Sequence, residues 1–343
     1  MRFLSAGRAA AAAVLLAAVV LVALYLIPSD KYYVFVPDRA HELAPLVEVA
    51  GQKATPASGG VYFVDVRFRK ARLLEDLLGR PLARGATMEP TARVLGDTSE
   101  KEQRRIDLNQ MAQSQKTAAA IALNRLGYHV RITLPQVVIQ GVVPRTPAAK
   151  VLRPRDVLVS VDGTPVHTVG RLHGLLAEHK PGDRLVLVLR RGGETRTVAT
   201  RTVPDDRDRA QAVVGIFVRE VGGSIGKLPV NVRIDTGGVG GPSAGLAFAL
   251  DLMEEFGRNV DRGYKVAATG ELELDGSVVP IGAIKQKTIG AREAGVDVFL
   301  VPAGSNARDA RNYAQGLRII PVQTFPQALL ALTTLPLKGR MNA

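Results

Sequence analysis

The 343-residue chain contains no cysteine, which excludes disulfide bonds, a thiolate nucleophile and cysteine-ligated metal centres. It also lacks the basic runs interleaved with aromatic residues that are typical of nucleic-acid binding, although its formal net charge is +13. Its arginines are spread along the chain, so we expect no nucleic-acid partner. A hydrophobic content of 46% is sufficient for packed cores and excludes a disordered chain.

Several catalytic signatures are missing as well. The sequence has no H-E-x-x-H motif and no other cluster with metal-ligand spacing, so it predicts neither a metal nor a cofactor. Gly226-Lys227 is followed by Leu228, where a phosphate-binding loop requires serine or threonine. A nucleotide site of that kind is therefore not expected.

The amino terminus carries the one long apolar run, residues 9–27, which has the length needed to cross a bilayer. Arg2 and Arg8 precede it and favour a cytoplasmic amino terminus. No A-x-A cleavage site follows, so a retained anchor fits better than a cleaved signal peptide. Residues 1–28 are thus predicted to be a cytoplasmic stub and single-pass transmembrane anchor. The catalytic domain would lie outside the cell membrane.

The segment 29–127 predicts an extracytoplasmic mixed α/β region. Strands are expected at 32–36 and 60–67, which are rich in β-branched and aromatic residues, and helices at 71–78 and 100–126. No motif in this region indicates chemistry. Its expected role is to pack against the later domains or to hold them away from the membrane.

Short strands and turns dominate residues 128–205, together with a helical stretch, VGRLHGLLAEH, and the strand RLVLVLRR. This region resembles a PDZ domain of the kind associated with bacterial proteases. The matching segments are Gly141-Val142-Val143, Pro147-Ala148-Ala149, RPRDVL at 153–158 and VDGTPV at 161–166. It departs from the common Pro-Gly-Asp at Pro154-Arg155-Asp156. The resemblance implies a domain that binds extended peptides by strand addition, and the alternative is a purely structural module.

The last domain, residues 206–343, is predicted to be α/β. Asp275-Gly276 is a strong hairpin signal between two β runs. The other expected elements are strands at 211–220, 228–234, 296–304 and 317–322, and helices at 283–294, 306–315 and 325–332.

Within this domain a glycine-rich turn leads into a helix over residues 235–256, DTGGVGGPSAGLAFALDLMEEF. Pro242 suits a first helical position, which would place Ser243 at the helix start. Unpaired N–H groups there favour negative charge, so a hydroxyl can become an alkoxide or face an oxyanion. A serine in this position is also commonly only a helix cap.

The GPSAG segment at 241–245 matches the G-x-S-x-G motif of α/β-hydrolases, which also requires a later histidine. All five histidines precede Ser243, so a serine–histidine–acid triad within this domain is excluded. A serine can instead use a lysine whose pKa is lowered by an apolar pocket. Lys285, Lys287 and the weaker Lys265 are the candidates. Lys285 and Lys287 face different ways on one helix, and spacing alone does not choose between them.

A set of motifs in constant order resembles the proteolytic domain of the Lon family over roughly residues 206–335. They are GPSAG at 241–245, ATGE at 268–271, VPIG at 279–282, Lys285-Gln286-Lys287, Gly295 and Val301-Pro302. In that family the motif serine is the nucleophile and the second lysine of K-x-K is the base, which implies Ser243 and Lys287. Thr269 would hydrogen-bond the lysine. Backbone N–H groups of the turn, at Gly240 and Gly241, would hold the oxyanion.

The whole arrangement is similar to the membrane-bound, PDZ-containing Lon-like proteases of bacteria. Val239-Gly240 departs from the Lys-Asp that many Lon proteases carry, and there is no ATPase module. The resemblance therefore implies an ATP-independent endopeptidase that cleaves unfolded or flexible exported and membrane polypeptides, and a homo-oligomer, as a hexameric ring. The alternatives are a non-catalytic, membrane-tethered peptide-binding or chaperone protein and a self-cleaving sensor.

Overall fold

The computed structural model describes residues 2–51, 59–206 and 209–338, so parts of the predicted last domain, 207–208 and 339–343, lie outside it. Within these ranges the α-helices are, in chain order, α1 (Arg2–Leu26), α2 (Leu73–Leu78), α3 (Thr91–Leu95), α4 (Glu100–Arg125), α5 (Val169–Leu176), α6 (Gly245–Glu255), α7 (Ile284–Glu293), α8 (Ser305–Tyr313) and α9 (Phe325–Thr333).

The strands of the described residues are distributed along the whole chain, in runs of one to six separated by α-helices. They are β1 (Pro28–Pro37), β2 (His41–Glu42), β3 (Val47–Val49), β4 (Gly60–Phe63), β5 (Val66–Arg72), β6 (Thr87–Pro90), β7 (Ile132–Val142), β8 (Val157–Val161), β9 (Thr164–Pro165), β10 (Arg184–Arg191), β11 (Glu194–Arg201), β12 (Val203–Pro204), β13 (Ala212–Val213), β14 (Ile216–Ile225), β15 (Val232–Ile234), β16 (Lys265–Ala268), β17 (Glu271–Leu272), β18 (Val278–Val279), β19 (Val298–Pro302) and β20 (Arg318–Val322).

The central sheet has the order β2-β4-β16-β19-β20, and all its pairs except β2–β4 are parallel. Strand β4 comes before the PDZ-like region, yet it pairs with β16, which comes after it, from Gly60↔Lys265 to Phe63↔Ala268. Helices α4 and α6 pack against each other, and α6 also packs on β4. One apolar core therefore includes residues from both ends of the chain, from Leu43 to Leu335.

A separate sheet, with the order β11-β10-β8-β7-β14 and β9 beside β8, forms the PDZ-like region. It has its own core, which includes Val137, Leu158 and Leu187, and helix α5 contributes Leu172 to it. Its edge strand β14 runs antiparallel to β7 from Ile216↔Val142 to Ile225↔Ile132. The chain therefore enters and leaves this sheet at adjacent positions, Ile132 and Ile225. The PDZ-like region is an insertion between α4 and β15.

The insertion means that contacts cross the predicted boundaries at 128 and 206. Residues 29–127 supply β4 and α4 to the central α/β layer, and strand β14 belongs to the PDZ-like sheet although it follows residue 206. A third sheet, β5-β1-β6, is formed entirely from residues 28–90. Helix α7 packs against β1, and the approach is closest just after the strand, where a Cβ on Gly290 would overlap the carbonyl oxygen of Asp38.

The mixed α/β class is confirmed, but the predicted N-terminal transmembrane helix is wrong. Helix α1 forms, yet within the described residues no helix is long and apolar enough to cross a membrane. Alanine makes up much of the run at 9–27, and its methyl side chain adds little apolar area. The last turn of α1 contacts protein, with the Arg72 guanidinium 3.7 Å from the Tyr25 ring centroid. The predicted membrane location of the chain depended on this helix.

Candidate active site

Ser243 lies in the turn between β15 and α6, two residues before the helix instead of at its first turn as predicted. Helix α6 begins at Gly245, with Ala244 as its N-cap. The Ser243 carbonyl oxygen accepts hydrogen bonds from the Gly270 N–H at 2.8 Å and from the Thr269 hydroxyl at 3.1 Å. Gly270 has φ 146°, a backbone conformation that glycine adopts readily. The nucleophile turn, which we define as residues 235–244, is thus tied to the end of β16.

Lys287 projects from α7 towards the Ser243 hydroxyl. Its Nζ lies 2.6 Å from Ser243 Oγ and 3.4 Å from Thr269 Oγ1, and the residue is only 4% exposed. Helix α7 is held at its start because the Asn306 side chain bonds both the N–H and the carbonyl oxygen of Ile281, at 2.8 and 3.0 Å. The structure therefore brings together a hydroxyl, an amine and a second hydroxyl from three separate segments.

The other candidate lysines point elsewhere. Lys285 Nζ lies 3.5 Å from the Ala86 carbonyl oxygen and 5.6 Å from the Tyr313 ring centroid. Lys265 is exposed at the start of β16, at the opposite end of that strand from Thr269. Neither amine is placed to exchange a proton with Ser243.

Burial lowers the pKa of Lys287 to about 8, and the Asp65 carboxylate opposes this shift by stabilising the ammonium form. Burial also raises the pKa of Asp65, while His41 lowers it. A lysine with a pKa near 8 is neutral in a substantial fraction of molecules at mildly alkaline pH. The amine can therefore accept the proton of a neighbouring hydroxyl.

Two cavities meet at Ser243 and Lys287. The first has a volume of about 810 Å³, and its lining includes Phe35, Phe63, Asp65 and Met111 as well as the two site residues. The second, of about 680 Å³, extends past Glu271 and the residues 280–286. An extended polypeptide segment could enter such a cleft, and half of its walls come from residues 29–127.

Those walls are what sequence reasoning missed, because no motif marked residues 29–127 as part of the site. Asp65 is the second residue after strand β4, and residues at the carboxyl ends of parallel strands often line sites. That signal is usable only once β4 is known to pair with β16, which the sequence did not reveal.

The glycines of the nucleophile turn make close contact with α4. The Gly241 N–H donates to the Asp107 carbonyl oxygen at 2.8 Å, so it is already engaged in this conformation. A Cβ on Gly240 would lie 2.7 Å from the Asp107 Cβ, so only glycine fits there without a shift. Among the described residues, the N–H groups of Ser243 and Ala244 have no hydrogen-bond partner. They are the backbone donors nearest to the hydroxyl that remain available for an oxyanion.

Within the described residues, one cluster has ligand atoms close enough together to share a metal ion. The side-chain atoms of Asp38, His41 and Asp65 lie within 4.8 Å of one another. Arg67 Nε is 3.1 Å from Asp38 Oδ2, and His41 Nε2 is 3.4 Å from Asp65 Oδ1. The latter pair does not have hydrogen-bond geometry, since Asp65 Oδ1 has no hydrogen-bond partner among the described residues.

Comparison with known families identifies two parts of the chain. Residues 115–202 match the model of the PDZ domain, and residues 223–333 match the model of the Lon protease (S16) C-terminal proteolytic domain. A solved PDZ domain of an SdrC-like protein from Listeria monocytogenes is 20% identical, covers 26% of this chain and 92% of that chain, and has a TM-score of 0.24.

Among curated proteins, Lon protease 1 of Bacillus subtilis is 32% identical over 162 residues, which is 44% of this chain and 20% of the relative. Lon protease of Vibrio parahaemolyticus is 29% identical over 175 residues, 47% of this chain and 22% of the relative. Lon protease 1 of Myxococcus xanthus is 36% identical over 106 residues, 29% of this chain and 13% of the relative.

The chain thus spans between 13% and 22% of the length of these relatives. The similarity concerns the part that carries Ser243, Thr269 and Lys287, all of which fall within the matched range 223–333. Together, the family matches and the relatives show that this chain contains a PDZ domain and a serine peptidase domain of the Lon type.

Proposed function

We propose that this chain is a serine endopeptidase that cleaves unfolded or flexible polypeptides, with Ser243 as nucleophile and Lys287 as general base. The observation that carries the proposal is the distance of 2.6 Å between a hydroxyl and a buried amine whose pKa is lowered to about 8. The likeness to Lon proteases supports the same reaction class.

In the proposed reaction, neutral Lys287 removes the proton from Ser243 while Oγ forms a bond to the substrate carbonyl carbon. The carbonyl oxygen becomes an oxyanion, which backbone N–H groups of the nucleophile turn stabilise. Removal of one such donor costs about 3–4 kcal/mol in comparable enzymes. The Lys287 ammonium then protonates the leaving amine as the C–N bond breaks, which leaves an acyl-enzyme. Water, deprotonated by Lys287, hydrolyses that ester and restores both groups.

Thr269 is proposed to orient the amine. Its hydroxyl oxygen lies 3.4 Å from Lys287 Nζ, and its own proton goes to the Ser243 carbonyl oxygen. It is completely buried, so water does not compete for these contacts. Through Thr269, the base and the nucleophile turn share one hydrogen-bonding group.

The PDZ domain is proposed to bind substrate segments or to gate the site. The outer edge of β14 has no partner strand in the described sheets, and strand addition is the mode by which PDZ domains bind peptides. Helix α5 packs on the segment that leads to α7, since a Cβ on Gly174 would lie 2.9 Å from Pro280 Cδ. Movement of α5 could therefore reach the helix that carries Lys287.

The experiment that tests the function compares wild-type protein with Ser243→Ala and Lys287→Ala, using an unfolded protein such as reduced, alkylated casein and no nucleotide. We expect both variants to be inactive and to unfold at temperatures close to wild type. Lys285→Ala is the matched control on the same helix and should retain most activity. A serine-directed fluorophosphonate should label wild type at Ser243. Retained cleavage in Ser243→Ala, or no labelling with intact peptide binding, would favour the non-catalytic alternative.

The role of the insertion is tested by replacing residues 128–225 with a short flexible linker. The two ends are adjacent, because Ile132 pairs with Ile225 and the Gly226 N–H donates to the Arg131 carbonyl oxygen. A changed set of cleaved substrates supports binding or gating, whereas an unchanged set supports a structural module. The same preparations, examined by sedimentation, test the proposed homo-oligomer and its hexameric form.

A further inference from the structure

Helix α4 holds the peptide bond that precedes the nucleophile. The Ser114 hydroxyl donates to the Pro242 carbonyl oxygen at 2.9 Å, and Ser114 is only 5% exposed. Ser114 lies outside both matched family ranges, 115–202 and 223–333. No motif of the catalytic domain contains it, yet it contacts the residue next to Ser243.

The orientation of this carbonyl matters because a trans peptide bond is planar, with its C=O and N–H directed to opposite edges. No cis peptide bond occurs in the described chain. When Ser114 binds the Pro242 carbonyl oxygen, the N–H of Ser243 is therefore turned away from Ser114. That N–H has no partner among the described residues and remains free for a substrate oxygen.

The next peptide bond, between Ser243 and Ala244, is held by the residues that follow β16. The Ser243 carbonyl oxygen accepts from the Gly270 N–H and from the Thr269 hydroxyl, which directs the Ala244 N–H away from β16. Both peptide planes that flank Ser243 are thus fixed by hydrogen bonds to their carbonyl oxygens. Ser114 supplies the side-chain contact for one of them, and Thr269 supplies it for the other.

The packing around Ser114 is close. A Cβ on Gly245 would lie 2.9 Å from Ser114 Oγ and 3.0 Å from Leu272 Cβ. Because residue 245 is glycine, α4 can come close enough for Ser114 to reach the Pro242 carbonyl oxygen. Nearer the amino-terminal end of α4, the Asp107 carbonyl oxygen accepts from the Gly241 N–H, and Arg104 donates to the Gly238 carbonyl oxygen. The helix contacts the nucleophile turn at three points.

We propose that Ser114 is a positioning residue that holds the Pro242–Ser243 peptide plane so that the Ser243 N–H serves as an oxyanion donor. This inference rests on the proposed peptidase function. Ser114 does not contact Lys287, so it acts on the stabilisation of the oxyanion and not on the proton transfer. The Pro242 carbonyl oxygen also accepts from the Gly245 N–H at 3.3 Å, so removal of the hydroxyl loosens the plane without leaving that oxygen unpaired.

The test compares Ser114→Ala with wild type on a fluorogenic peptide and with a peptidyl boronate, which forms a tetrahedral adduct on the nucleophile. We expect kcat to fall about tenfold to a hundredfold with KM nearly unchanged, since a misplacement of about 1 Å can cost that much. Affinity for the boronate should fall by the same factor. The pH midpoint of kcat/KM should not move, because the pKa of Lys287 does not depend on Ser114.

Thr117→Ala is the matched control. Thr117 lies three residues further along α4, is 5% exposed like Ser114, and among the described residues its hydroxyl makes no hydrogen bond to the nucleophile turn. We expect it to leave kcat and boronate affinity unchanged. Ser114→Cys, which retains a weak donor, should fall between Ser114→Ala and wild type, and it serves if the alanine variant unfolds.

The outcomes separate the two proposals. If wild type neither cleaves the peptide nor binds the boronate, the peptidase function is wrong and this inference fails with it. If wild type does both and Ser114→Ala binds the boronate as tightly as wild type, the peptidase function stands and the positioning role is wrong. A shift of the pH midpoint in Ser114→Ala would also overturn it, since the residue would then act through Lys287.

Discussion

Lys287 Nζ and Ser243 Oγ lie 2.6 Å apart although 44 residues separate them in the chain. Lys287 is only 4% exposed, and this burial is the main reason why its pKa falls to about 8. Only the neutral amine can accept the proton of Ser243.

The first prediction concerns pH. The value of kcat/KM should rise with pH by about tenfold per unit on the acidic side and level off above about pH 8, where Lys287 is neutral. Initial rates on a fluorogenic peptide from about pH 6 to about pH 10 give the profile. A rate that stays flat between about pH 6 and pH 9 would contradict a lysine base with this pKa.

The second prediction concerns Asp65, whose carboxylate stabilises the ammonium form of Lys287. Asp65→Asn removes that charge and leaves burial unopposed, so the pH midpoint should move below that of wild type. Activity at neutral pH should rise as a result. Asp38→Asn is the control, because it removes a carboxylate from the same cluster without contacting the lysine. Equal shifts in the two variants would mean that net charge, and not the position of Asp65, sets the midpoint.

Thr269 is the subject of the third prediction. Thr269→Val keeps the shape of the side chain but removes the hydroxyl that contacts both Lys287 and the Ser243 carbonyl oxygen. We expect kcat to fall about tenfold to a hundredfold, because the base and the nucleophile turn lose a shared contact. Thr269→Ser retains the hydroxyl and should keep most of the activity. If the valine and serine variants have the same kcat, the hydroxyl has no positioning role.

The fourth prediction concerns stability. Asp251 on α6 is 1% exposed, and its Oδ2 has no hydrogen-bond partner among the described residues. Burial, with smaller contributions from Glu255 and Glu254, raises its pKa to about 8. The unfolded chain has an aspartate pKa near its ordinary value of about 3.9, so the folded state loses stability as pH rises from about 4 to about 8.

Asp251→Asn removes this loss of stability. The loss is about 1.4 kcal/mol of unfolding free energy for each pH unit between the two pKa values, and structural relaxation around Asp251 makes it smaller. The variant should therefore unfold at a higher temperature than wild type at about pH 9, with a difference that shrinks towards about pH 4. Calorimetry at both pH values measures the effect. Asp309→Asn, on the exposed side of α8, is the control for removal of a carboxylate that is not buried. A variant less stable than wild type at about pH 9 would disprove the buried-charge explanation.

Local structure near the site followed local sequence signals closely. The Asp275-Gly276 turn joins β17 to β18, and helix α7 ends at Glu293, two residues before the predicted stop at Gly295. The start of α6 was predicted less well, because Pro242 is compatible with a first helical position but the contacts of Ser114 and Asp107 keep its segment in a turn. A tertiary hydrogen bond outweighed the local preference there.

The lengths of the strands were also set by tertiary contacts that local sequence signals do not contain. The predicted strand at 228–234 is reduced to Val232–Ile234, where β15 pairs with β3. The predicted strand at 211–220 becomes two, β13 and β14, with Gly215 at φ 78° between them. Alternating or β-branched residues identify a segment that can be extended, but the partner strand determines how much of it is paired.

The sequence by itself determined the chemical groups of the site: one serine after a glycine-rich turn, no later histidine, and a lysine on a helix with an apolar side. Tertiary structure alone decided that β4 pairs with β16 across the PDZ insertion, and so that Asp65 and α4 surround Ser243. The physical reason is that periodicity and turn chemistry act over a few neighbouring residues. Parallel strand pairing and helix packing depend instead on surfaces contributed by segments about two hundred residues apart.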